Sequence, residues 1–170
     1  MRAARPPARR SRPSSPPPHA QTTPGPAQFL LQWVNPREGV PLVPITAFYA
    51  GLLALIAIAL GVPIGAMRAR TGISILHGDN MELATLIRRH ANFTEGVPLA
   101  LILLAALELN GASPGLLHGL GIALVAARIA HPLGLHHDNV RSPLRGIGAG
   151  GTILVTLIAA VMLIWGFLSR

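Results

Sequence analysis

The sequence predicts an all-α membrane protein, a bundle of four transmembrane helices, on three observations. The chain has 170 residues and a mean hydropathy of +0.50. Only 12% of it is charged, against about a quarter in soluble domains. Four stretches are apolar over the roughly twenty residues that a helix needs to cross hydrocarbon. They lie at Ile45–Met67, Glu82–Leu109, Pro114–Leu135 and Gly146–Leu168, separated by short polar connections.

The first and last stretches carry no charge between Ile45 and Ala66 or between Gly146 and Leu168, so lipid can surround them. The second contains Arg88, Arg89, His90, Glu95 and Glu108, and the third contains Arg128 and His131. Ionisable groups inside membrane helices ordinarily face the bundle or a wet cavity, and that orientation is expected here. Glu108, near the end of the second helix, reads as an interfacial charge.

Residues 1–44 form a separate region, ahead of a membrane domain at 45–170. Met1 to about Gln28 is Arg-, Pro-, Ser- and Ala-rich with almost no large apolar side chains, a composition that cannot bury enough surface to order itself. A translation start placed too early, with the true one near Val40 or Val43, would also explain it. Arg9-Arg10 is not followed by an apolar signal core. The formal charge of +8 comes from fourteen arginines, no lysine and six acids, and six of those arginines fall within Met1–Pro44. The excess reads as a solvated tail, and no nucleic-acid partner is expected. With no cysteine in the chain, disulfides, thiolate metal sites and a cysteine nucleophile are excluded.

Asn110-Gly111-Ala112-Ser113 is a turn ahead of Pro114, so the second and third helices are antiparallel neighbours. Arg68–Met81 and His136–Arg145 make the other two connections. These carry Arg68, Arg70, Arg141 and Arg145, while the 110–113 turn has no arginine. The positive-inside rule therefore puts the first and third connections in the cytoplasm of a multi-pass inner-membrane protein. Gly115, Gly119, Ala123 and Ala127 repeat every four residues, and Gly146 and Gly150 open the last helix. Such small-residue seams let membrane helices approach closely, either within the bundle or between subunits.

The segment Arg88-Arg89-His90-Ala91-Asn92-Phe93-Thr94-Glu95 holds the candidate site. At about 100° per residue, Arg88, Asn92 and Glu95 fall within roughly 60° of one another and step over roughly 10 Å of helix axis. A structural ion pair is one explanation. A ligand site is the other, because an Arg–Glu pair leaves donors and acceptors unused. Pro98 removes the amide that would bond the Thr94 carbonyl and favours a kink beside Glu95. Arg128 and His131 share a face of the third helix, and either ligand contact or pairing of Arg128 with Glu95 or Glu108 is open to them. His136-His137-Asp138 lacks the spaced ligands of a metal site, and no metal is expected.

The pattern Arg88-x-x-x-Asn92-x-x-Glu95 on the second of four membrane helices, with His90 inside it and Val97-Pro98-Leu99 after it, resembles the MAPEG superfamily, membrane-associated proteins in eicosanoid and glutathione metabolism. The match is nearest to the bacterial branch and covers about Ile45 to Leu168. The resemblance implies a homotrimer that binds glutathione between subunits near the cytoplasmic face. It implies glutathione contacts at Arg88, Asn92 and Glu95, another polar contact at His90, and an arginine after the first helix at Arg68 or Arg70. The arginine proposed to activate the thiol would be Arg145, or Arg141 in the alternative register. Gly96 stands where many relatives have an aromatic residue, and His131 roughly where several have a tyrosine. Tyr49, on the first helix, is the chain's one tyrosine.

Residue chemistry supports that implication. Glutathione presents two carboxylates, an ammonium, peptide groups and a thiol. Arginine forks suit carboxylates, glutamate suits the ammonium and asparagine suits the peptide. The expected function is a membrane-embedded glutathione-dependent transferase or peroxidase acting on lipophilic electrophiles or hydroperoxides. The competing classes are a non-catalytic membrane scaffold or small-molecule binder, which predicts a ladder packed on itself with no cavity, and a proton or ion path through the polar faces of helices two and three.

Overall fold

A computed structural model describes residues 42–138 and 142–170; the expectations for residues 1–41 and for Arg141 lie outside the described residues. Four helices form: α1 Pro44–Thr71, α2 Met81–Leu109, α3 Pro114–Leu133 and α4 Pro143–Leu168. All four are long and apolar enough to cross a membrane. The fold is the expected all-α four-helix membrane bundle.

Local chemistry sets the boundaries. α1, α3 and α4 each begin with proline in the first turn, where a missing N–H costs no helical hydrogen bond. α2 begins with Asn80, whose side chain accepts from Leu83 N at 2.9 Å, satisfying an amide with no intrahelical partner. α1 runs four residues past the expected Met67, which brings Arg68 and Arg70 into its last turn, and it stops at Gly72. Gly72 has φ 70° and donates its N–H to Arg68 O, a left-handed cap that glycine adopts without a Cβ penalty. α3 ends two residues short of the expected Leu135. α2 continues unbroken through Pro98.

α1 lies against α2 and α3, and α4 lies against α3 and α2. α2 and α3 share a thinner diagonal contact, while α1 and α4 do not touch among the described residues. Leu53, Phe93, Val97, Leu104, Leu124 and Val155 meet in the centre. Ile58, Ile102, Ile122 and Ile153 are exposed around the outside, as required of a surface whose solvent is hydrocarbon.

Two polar contacts fasten the end of the bundle where α1 starts and α2 finishes. The Glu108 carboxylate accepts from Ile45 N at 2.9 Å and Thr46 N at 2.8 Å. The acid that reads from sequence as an interfacial charge thus caps the positive end of α1. Nearby, the buried Tyr49 places its hydroxyl 3.0 Å from His118 Nδ1.

The closest helix approaches fall at Gly121 and Gly148, outside the four-residue repeat. Gly121 of α3 lies flat against the Tyr49 ring, and Gly148 of α4 lies against the backbone of His131. Gly115, Gly119, Gly146 and Gly150 have nothing within 4 Å of an added Cβ, so those glycines are not within the bundle, whereas Ala127 at the end of the repeat lies against Gly151 of α4. The inward stripe of α3 is Leu117, Leu120, Gly121, Leu124, Ala127, Arg128 and His131. Gly121→Ala is expected to overlap the Tyr49 ring and lower stability by about 1–3 kcal/mol, the usual penalty of overpacking. Gly119→Ala is the control and should leave the subunit's own packing unchanged; thermal unfolding in detergent reads both.

Candidate functional site on the outward face of α2

The polar ladder forms, but it points out of the bundle. The inward side of α2 is set by Phe93, Val97, Ala100 and Leu104. At 100° per residue Arg88 and Glu95 stand roughly opposite to it. Their side chains are 60% exposed each, and Arg88 Nη1 meets Glu95 Oε1 at 3.4 Å. The expectation that these charges face the bundle interior is corrected for both. The physical reason is that the interior at this level is already filled by apolar side chains and by Arg128. Asn92 lies half-buried at the border of the ladder, its carbonyl accepting from Arg128 Nη1 at 3.1 Å.

Arg128 and His131 do face inward, and both are buried. Arg128 Nη2 donates to Gly148 O at 2.7 Å, and the same carbonyl accepts from Thr152 Oγ1 at 3.1 Å. One guanidinium therefore ties α3 to the backbones of α2 and α4. The pairing of Arg128 with Glu95 or Glu108 does not form: Arg128 is engaged by carbonyls, and Glu108 by the amides of α1 at the other end of the bundle. Its Nε is buried with no partner among the described residues.

The other predicted site residues are dispersed. His90 faces α1, its Nε2 3.5 Å from where a Cβ on Gly61 would stand, and so does not join Arg88 within one chain. Arg68 donates to Ile73 O at 3.0 Å and stabilises the end of α1, while Arg70 is exposed. Arg145 is half-buried in the first turn of α4, its backbone close against Gly134. His136 Nε2 lies 3.2 Å from Leu133 O. Tyr49 is committed to His118, at the opposite end from the ladder. Arg89 had no assigned role from the sequence, and it donates from Nε and Nη2 to Leu135 O at 3.1 and 2.8 Å, anchoring the chain beyond α3.

A groove of about 400 Å³ opens between α2 and α4 beside the ladder. Glu95, Gly96 and Leu99 line one side; Thr152, Ile153 and Thr156 line the other. A Cβ on Gly96 would stand 3.4 Å from Thr152 Cγ2 and 3.8 Å from Arg128 Nη1. A large side chain in place of Gly96 would fill this space, so the glycine keeps the groove open next to Glu95.

The MAPEG family model matches residues 46–165, which spans all four helices and the whole ladder. The chain belongs to the MAPEG family. Among curated relatives of this MAPEG chain, the inner membrane protein YecN from two strains of Escherichia coli is 32% identical over 116 residues, covering 68% of this chain and 88% of that protein. No solved structure matches the chain.

Removing the Arg128 fork tests its clamping role. Arg128→Lys keeps the charge but cannot span two carbonyls with a planar fork. Hydrogen bonds to charged groups contribute about 1.5–3 kcal/mol each, and the loss of one should appear as a clear drop in the detergent melting temperature of Arg128→Lys.

Proposed function

We propose that this MAPEG protein is a glutathione-dependent transferase or peroxidase of the inner membrane, assembled as a homotrimer, that acts on lipophilic electrophiles or hydroperoxides. The observation that carries the reading is the outward, loosely joined Arg88–Glu95 pair beside an open groove. An ion pair held at 3.4 Å with both partners 60% exposed keeps most of its hydrogen-bonding capacity. On the outside of a membrane helix that capacity cannot be met by acyl chains. A second copy laid against α2 and α4 would cover the pair, enclose the groove and make room for a polar guest between subunits. A scaffold without a ligand predicts instead a ladder packed closely on itself, and the groove at Glu95 disfavours it.

The donor set fits glutathione. Arg88 offers a fork to a carboxylate, Glu95 an acceptor to the α-ammonium, and Asn92 a carboxamide to a peptide group. His90 faces α1, away from its own chain's ladder, and could contribute only to a neighbour's site. Bound glutathione supplies a nucleophilic thiolate. A guanidinium near a thiol favours its ionised form without acting as a base, the role proposed for Arg145, with Arg141 in the alternative register. Buried between Asn92 and Gly148, Arg128 adds positive potential from inside the bundle and fixes the α2 backbone at Asn92. Arg68 or Arg70, from the end of α1, would approach from a neighbouring subunit. The exposed Ile and Leu surface around the groove admits lipophilic substrates directly from the bilayer.

Two measurements test this. Titration with glutathione, followed by ultraviolet thiolate absorbance, should show saturable binding in the wild type, weakened at least about tenfold in Arg88→Ala and Glu95→Ala by loss of charge-assisted bonds. No binding at millimolar glutathione, or equal binding in both variants, contradicts the proposal. The relatives' name supports inner-membrane placement, and the arginine distribution supports cytoplasmic 1–2 and 3–4 connections. The natural chain has no cysteine, so single introduced thiols report orientation cleanly. An impermeant thiol reagent added to intact cells should label Ser113→Cys and spare Ser74→Cys.

A further inference from the structure

A second cavity lies away from the ladder, between α1 and α3. It measures about 310 Å³ and is lined by Ile56, Leu60 and Pro63 of α1, by Ile129 and Leu133 of α3, and by one charged side chain, Arg89 of α2. The close approach of α1 to α3 is made at their other end, where the Tyr49 ring covers Gly121 and its hydroxyl reaches His118. Toward the arginine-bearing end no such contact closes the space.

The depth of Arg89 can be read from α3. That helix has 20 residues, about 30 Å at 1.5 Å per residue, which matches the hydrocarbon thickness of a bilayer. Its end at Leu133 therefore marks the boundary between hydrocarbon and headgroups. Arg89 donates to Leu135 O, just past that boundary. Two of the five N–H groups of a guanidinium are spent on this one carbonyl, and the others are uncommitted among the described residues. Below Arg89, the α1 wall from Ile56 to Pro63 runs roughly 10 Å into hydrocarbon.

We propose that this cleft binds a net-anionic glycerophospholipid, with its phosphodiester on Arg89 and one acyl chain between α1 and α3. The geometry matches that class on three counts. The cation stands at the level of lipid phosphates, not in mid-membrane. The second acyl chain has a surface beside the cleft, because Ile129 and Ile122, seven residues apart on one face of α3, are exposed. Arg68 and Arg70, in the last turn of the same helix, add positive charge on the headgroup side, which favours a net-negative headgroup. Arg89 is adjacent in sequence to Arg88 but turned about 100° from it, so this site is separate from the α2–α4 groove and does not depend on the thiol proposal.

The test is native mass spectrometry of the detergent-solubilised full chain, incubated in turn with phosphatidylglycerol, phosphatidylethanolamine and oleate. The wild type should retain one phosphatidylglycerol per chain in preference to the other two. Arg89→Gln removes the cation and should reduce retention about tenfold, the worth of a charge-assisted hydrogen bond; Ala59→Trp fills the cleft and should reduce retention by at least as much by excluding the acyl chain. Should Arg89→Gln fail to fold, Ala59→Trp decides alone. Unchanged retention in Ala59→Trp overturns the proposal. So does equal retention of phosphatidylethanolamine or oleate by the wild type. A change in the number of chains per particle in Ala59→Trp would make the cleft a subunit contact and overturn it as well.

Discussion

Ionised groups are costly in hydrocarbon, and each one on these helices must find compensation without water. Most find it within the chain. Arg128 is surrounded by the carbonyls of Asn92 and Gly148, Glu108 by the amides of Ile45 and Thr46, and Arg89 by the carbonyl of Leu135. In each case a side chain meets the backbone of another helix or connection, so electrostatic compensation and helix assembly are achieved by the same contact. Arg88 and Glu95 are different. Among the described residues they have only each other, across a long contact on the outward face.

That asymmetry divides the bundle into two ends. At the end where α1 starts, Glu108 and the Tyr49–His118 contact close the helices together, with Gly121 allowing the aromatic ring to lie against backbone. At the other end the interior is held by arginines, and space remains on both flanks: the groove beside Glu95 and the cleft beside Arg89. A further cavity of about 500 Å³, lined by Asn110, Phe167 and Arg170, opens at the first end, where no charged ladder accompanies it among the described residues. Neither arginine, Arg128 nor Arg89, can be exchanged for a hydrophobic residue without releasing backbone carbonyls that have no other described side-chain donor at that level except Thr152.

Much of the architecture was legible in the sequence because lipid imposes a simple rule. Twenty apolar residues bounded by proline, glycine and asparagine leave little choice but a spanning helix, and all four helices lie where hydropathy places them. The ladder was legible too, since Arg88, Asn92 and Glu95 share a face at any helical pitch near 3.6. Its direction was not. Periodicity places residues on a common face but does not say which face meets the other helices, and a charge rule that points ionisable groups inward fails for Arg88 and Glu95, which stand on the outward face. The roles of Arg89 and Glu108 were hidden for a related reason: both bond backbone atoms far away in sequence, and backbone groups carry no residue-specific signal. The small-residue repeat of α3 left its partner open for the same reason: Gly115 and Gly119 face open space, while Ala127 lies against Gly151 and the isolated Gly121 makes the close approach to α1.

In the proposed homotrimer the outward charges of α2 are covered by another copy of the chain. Sedimentation equilibrium of the wild type in density-matched detergent, at falling protein-to-detergent ratio, tests it most directly. A mass of three chains that persists on dilution is the predicted result. Single chains at every ratio, with Arg88 and Glu95 left to the detergent, would contradict it.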